Sequence, residues 1–172
     1  MSKIRNIALV LATAALSLGA PSLHAQQAAF RATLTGAANV PEPIETKAEG
    51  ELQLTLSPDG KKLSYTLSVK DLVNAAAADL HLGPANANGP LVAKLFPRGG
   101  AAKKGAFSGV LAEGTITGAD LTGPLTGAPL SDLVEEMRSG NTYCNIHTND
   151  GMEPPNSGPG DYRLGEIRGQ IQ

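Results

Sequence analysis

Leucines fall at every second position in Glu51-Leu52-Gln53-Leu54-Thr55-Leu56, and apolar residues do the same in Leu63-Ser64-Tyr65-Thr66-Leu67-Ser68-Val69. Successive side chains of an extended strand point to opposite faces, so each run predicts a strand with one apolar face. Between them Ser57-Pro58-Asp59-Gly60 reads as a turn: proline presets φ and glycine accepts positive φ. Residues 51–69 are therefore expected to form a hairpin. Phe30 to Leu34 alternates too and ends at Gly36. Further short runs occur at Asp79 to Leu82, Leu91 to Phe96, Phe107 to Ile116, Thr142 to His147 and Leu164 to Ile171. Short strands separated by Gly, Pro, Asn and Asp predict an all-β fold: an antiparallel Greek-key β-sandwich or a partly closed barrel. One segment departs from the two-residue period. Pro129 to Gly140 predicts a short helix near 131–139, capped by Ser131, closed by Gly140 and carrying an apolar stripe of Leu133, Val134 and Met137.

The polar positions of three strands stand out. With Leu80 and Leu82 turned inward, Asp79 and His81 point the other way. With Cys144 and Ile146 inward, Tyr143, Asn145 and His147 share the opposite face. With Ile167 and Ile171 inward, Glu166, Arg168 and Gln170 do the same. An ordinary solvated face would carry Lys, Thr and Ser. These rows carry carboxylates, imidazoles and an arginine, and Arg168 is expected to hold Glu166 or Asp79 in a bidentate charge pair. If the three strands are neighbours, His81, His147, Asp79 and Glu166 can converge on a metal ion, with Glu166 as fourth ligand or behind the ligands. Two imidazoles and carboxylates suit copper, with zinc or iron as alternatives, and are a poor set for calcium. Met152 in the following loop is a further soft donor to weigh, against ordinary packing. Histidines simply hydrogen-bonded to Asp79 or Glu166 are the plain alternative.

Composition narrows the field. Lys3 and Arg5, the uncharged stretch from Ile7 to Leu18, and Leu23-His24-Ala25 read as a secretory signal over residues 1–25, with the mature domain at 26–172. Such a chain is expected in the periplasm or secreted, with no membrane insertion after cleavage. Removing Lys3 and Arg5 leaves 12 basic residues against 16 acidic ones, a formal net charge of −4. That excludes generic nucleic-acid binding, which needs clustered cations. Cys144 is the only cysteine, so no intramolecular disulfide forms, and its place on the apolar face predicts a buried packing residue. No Gly-x-Ser-x-Gly elbow is present, and Cys144 and His147 would point to opposite faces of one strand, so a nucleophilic enzyme is not expected. The segments from Pro97 to Gly105 and from Asn149 to Asp161 predict long loops, the second beginning just after His147.

The chain resembles a chordin-type (CHRD) domain. The resemblance rests on Phe30-Arg31-Ala32-Thr33-Leu34-Thr35-Gly36 with Asn39-Val40-Pro41, on Gly50 and the hairpin through Leu63-Ser64-Tyr65, and on Asp79-Leu80-His81-Leu82-Gly83 with Asn88-Gly89-Pro90-Leu91-Val92. It continues through Tyr143-Cys144-Asn145-Ile146-His147-Thr148 and Gly165-Glu166-Ile167-Arg168-Gly169-Gln170-Ile171. It implies an exported all-β domain, found alone in bacteria and repeated in extracellular animal proteins that bind other proteins. Relatives commonly carry His-x-His where this chain has Asp79-Leu80-His81, so the resemblance implies a three-histidine set reduced to two histidines and a carboxylate. Two functions compete: an exported metal-binding protein, or a non-catalytic adhesion or interaction module that uses the polar rows and the 149–161 loop to bind an envelope protein. A metal-dependent enzyme ranks last.

Overall fold

The computed structural model describes residues 28–97 and 101–172; the expected secretory segment lies outside them. The described residues form seven strands and one α-helix: β1 (Ala29–Thr35), β2 (Glu49–Leu56), β3 (Leu63–Leu82), β4 (Leu91–Phe96), β5 (Lys103–Ile116), α1 (Leu130–Arg138), β6 (Thr142–Thr148) and β7 (Ile167–Gln170). Every strand pairing is antiparallel. The order β2-β1-β7-β6-β3, together with the β2–β3 pairing, closes five strands into a barrel, and β4 and β5 attach to β3 outside that ring. Of the two architectures expected, the barrel is the one formed.

The interior follows the two-residue period. Phe30, Ala32 and Leu34 of β1, Leu52 and Leu54 of β2, and Leu63, Tyr65, Leu67 and Val69 of β3 are buried in one aliphatic cluster. The hairpin pairs Leu56 with Leu63 and Glu49 with Lys70. Its turn closes with the Gly60 N–H on the Ser57 carbonyl, Gly60 having φ +69°. The stripe of α1 (Leu130, Leu133, Val134, Met137) joins the same cluster. The helix starts one residue earlier than expected, because Leu130 is drawn into the core. Pro129 is its cap, and the Ser131 hydroxyl turns instead to Asp132. Cys144 is free and fully buried, as the alternation predicts, and burial pushes its thiol well above the ordinary value.

Two strands differ from their expected extents. Residues 63–69 and 79–82 belong to one 20-residue strand rather than two. Between its halves the buried positions run Val69, Leu72, Ala75, Ala78, three residues apart. Register shifts accompany each step, at Val69/Leu72 and Val73/Ala75 against β5 and at Ala75/Ala77 against β6. Asp71 and Asn74 adopt positive φ there. Side-chain bonds hold the bulges: the Asp71 N–H donates to Ser108 Oγ, and Asn74 Oδ1 accepts from the Gly105 N–H. β7 is shorter than the run from Leu164 suggested. Leu164 is 84% exposed, and Gly165 sits at φ +127°, which turns the chain before the strand begins.

The aliphatic interior carries the barrel, so Leu67→Ala, at a fully buried position facing β2 and β5, is expected to cost about 2–5 kcal/mol. Val110→Ala, at a position 52% exposed, is expected to stay within about 0.5 kcal/mol. Urea unfolding of both variants checks the pair, and comparable losses would contradict the assigned core.

Candidate metal centre

The three polar rows lie on adjacent strands. Asp79 is opposite Asn145 and Asn145 is opposite Arg168; His81 is opposite Tyr143 and Tyr143 is opposite Gln170; His147 is opposite Ala77. One donor atom from each of Asp79, His81 and His147 lies within 4.8 Å of the other two, the one such group among the described residues. His147 Nε2 is 3.6 Å from Asp79 Oδ2, and the two imidazoles are 6.3 Å apart between centroids.

Two loops fix the rings. His81 Nδ1 is 3.0 Å from the Gly89 carbonyl, and His147 Nδ1 is 3.0 Å from the Arg163 carbonyl. A carbonyl oxygen only accepts, so each Nδ1 carries the hydrogen. In the neutral rings both Nε2 atoms then keep a free lone pair, the arrangement a metal-binding histidine needs. Gly89 is dictated by sterics, since a Cβ there would meet the Leu82 carbonyl oxygen at 1.7 Å. Tyr143 seats the same loop: its hydroxyl accepts from the Gly89 N–H at 2.9 Å, and its ring stacks on His81 at 5.0 Å and 11°.

The surroundings are polar and largely buried. Asp79 is 5% exposed, and its Oδ1 and His81 Nε2 are buried without a hydrogen-bond partner. Unpaired buried polar atoms are uncommon and costly, and a cation among them would satisfy both. Burial holds the His81 imidazole below its ordinary value, which keeps it neutral. Burial likewise pushes the Asp79 carboxyl upward, against the pull of His147 and His81. A cleft of about 270 Å³, lined by Ala76, Ala77, Asp79, His147, Asn149 and Arg163 among others, leads from the surface to this group.

Not every expected partner arrives. Glu166 stands apart from the group, because the turn at Gly165 takes it out of the strand alternation. Its carboxylate accepts instead from the Thr46 hydroxyl at 2.6 Å, the Thr148 hydroxyl at 2.7 Å and the Gly160 N–H at 2.8 Å. The expected charge pair of Arg168 with Glu166 or Asp79 does not form. Arg168 donates to the carbonyls of Ala38, Pro84, Ala85 and Ala87 and covers the Tyr143 ring at 3.9 Å. Met152 is 66% exposed; its carbonyl accepts from Arg163 and its N–H donates to the Asp150 carboxylate. The tautomer-setting carbonyls escaped the sequence reading, because backbone groups leave no residue signature. The Asn88-Gly89-Pro90 turn was the one available hint.

His81 titrates with a defined sign. Its folded value lies below the unfolded one of about 6.5, so the unfolded chain takes the proton first as pH falls. The stability held by neutral His81 is present above pH ~6.5 and is lost on acidification through the lower folded value. Asp79 works the other way, since its charging weighs against the fold as pH rises through its raised value. The urea midpoint of metal-free His81→Gln is therefore expected to fall less between pH 7 and pH 5 than that of the parent, and equal slopes would refute the assignment.

One family model matches the chain, that of the CHRD domain, over residues 30–155. No curated protein and no solved structure matches it. β7, beyond the matched span, completes the barrel by pairing with β1 and β6.

Proposed function

The chain belongs to the CHRD domain family, and from that premise we propose that it is an exported metal-binding protein. It holds one ion, copper in preference to zinc or iron, through Asp79, His81 and His147. The observation that carries this reading is the paired arrangement of the rings. Two imidazoles from different strands each give Nδ1 to a loop carbonyl, and both face one buried carboxylate. Histidines that merely decorate a surface have no need of two separate loops to fix their orientation. Two nitrogen donors and an oxygen donor suit Cu(II), which such sites favour in the usual affinity order. When bound, the ion would satisfy the buried carboxylate oxygen and the Nε2 lone pair together.

CHRD domains are in general non-enzymatic, which agrees with binding as the task of the site. The basic start at Lys3 and Arg5 and the apolar stretch from Ile7 to Leu18 support export to the periplasm or beyond. Among the described residues no helix is long and apolar enough to cross a membrane.

Calorimetric titration of the purified protein with Cu(II) and with Zn(II) tests the reading. One equivalent of copper is expected to bind more tightly than zinc. His81→Ala and His147→Ala are each expected to weaken binding at least tenfold. At a free copper concentration 100 times Kd, the parent should gain about 2.7 kcal/mol of stability, while both variants gain less. No uptake and no change in Tm for the parent would end the proposal and leave the interaction module in its place.

A further inference from the structure

Arg168 is a buried charge beside the centre that the site itself does not use. It is 2% exposed. Its guanidinium meets only neutral acceptors: the carbonyls of Ala38, Pro84, Ala85 and Ala87 and the Gln170 side-chain oxygen, with Nε left without a partner. Among the described residues no carboxylate forms an ion pair with it. Buried arginines ordinarily have an acidic partner, because an isolated charge is costly to desolvate. Here the positive charge stays uncompensated, and few mobile dipoles are nearby to screen it.

Its position is directed. β6 lies between β7 and β3, and the groups stack across these three strands in order. The Arg168 guanidinium carbon lies 3.9 Å from the Tyr143 ring centroid, and the Tyr143 ring lies 5.0 Å from that of His81 at 11°. The stack therefore ends on a proposed ligand.

We propose that Arg168 tunes the redox balance of the copper centre, its uncompensated guanidinium behind Tyr143 favouring the ion of lower charge. The inference rests on the copper reading above. Reduction of Cu(II) to Cu(I) by an external one-electron donor removes one positive charge next to a fixed positive charge, with the ligands unchanged. Repulsion falls, so the potential lies higher than the same ligands alone would set. Arg168 is not a ligand; it acts on the ion through the field along the stack.

The test is the reduction potential of the copper-loaded protein, measured by optical redox titration on the parent and on Arg168→Gln, Arg168→Lys and Gln170→Glu. Arg168→Gln removes the charge. Gln170→Glu keeps the arginine and places a carboxylate beside it, giving up the Gln170 bonds to the Gly83 and Gly140 carbonyls rather than those of Arg168, which keeps the test alive if the first variant fails to fold. Both are expected to lower the potential, with the ratio of Cu(I) to Cu(II) dissociation constants rising on the order of tenfold, equivalent to ~59 mV for one electron. Arg168→Lys keeps the charge without the fork of contacts and is expected to stay near the parent. Potentials of Arg168→Gln and Gln170→Glu equal to the parent's, or a lysine variant that falls as far as the glutamine one, would overturn the proposal while leaving copper binding standing. A parent that takes up no copper would overturn both.

Discussion

The architecture of the centre depends on a change of face within one strand. In the first half of β3 the buried apolar positions are odd-numbered, from Leu63 to Val69; in the second half they are even-numbered, at Ala78 and Leu80. Three steps between buried positions, Val69 to Leu72, Leu72 to Ala75 and Ala75 to Ala78, are each one residue longer than the two-residue period and make the exchange. An odd number of insertions inverts the sides of a strand, where an even number would restore them. Without this inversion, Asp79 and His81 would lie inside the barrel with Leu67 and Val69, and no polar row would exist. Asp71 and Asn74 tolerate the left-handed backbone that the bulges need, and both are held there by bonds from β5. Remote strain thus sets which side chains meet near His147.

The outward face so created is not left to solvent. The segment from Gly83 to Pro90 and the segment from Asn149 to Glu166 lie over it, and each brings a carbonyl to one imidazole. Arg168 and Gln170 gather the first loop, through Pro84, Ala85 and Ala87 and through Gly83. Glu166 gathers the second, through Gly160 and Thr148. Gly165 lets that loop pass close to Asn145, where a Cβ would meet the amide at 2.3 Å. Arg168 and Gln170 of β7, with Glu166 just ahead of the strand, therefore build the cover, and the donor groups come from β3 and β6. This division of labour places charged side chains in a low-dielectric layer outside the aliphatic core, where each contact with backbone oxygen weighs more than it would in water.

Much of this was legible along the chain. Strict alternation in β1, β2 and the start of β3 located the core, and the polar rows of Asp79, His81, Asn145, His147 and Arg168 were readable because each runs beside an unambiguous apolar row. The family resemblance is borne out by the CHRD match over residues 30–155, which takes in the segments of Asp79, His81, Asn145 and His147 but not that of Arg168. What stayed hidden was non-periodic. The alanine-rich middle of β3 carries no face signal, so one bent strand read as two. The turn at Gly165 moved Glu166 off its apparent row. Arg168 was expected beside a carboxylate because opposite charges attract. The loop carbonyls won instead, since they were already close and in need of donors. The helix cap shifted by two residues, from Ser131 to Pro129, because burial of Leu130 outweighed the capping preference of Ser131.

The two imidazoles lie 66 residues apart in the chain and are steadied by loops that must both be seated. The cleft reaches Asp79 and His147 but is not lined by His81. Any occupant would therefore arrive and leave past the His147 side, while the Tyr143-backed ring stays fixed.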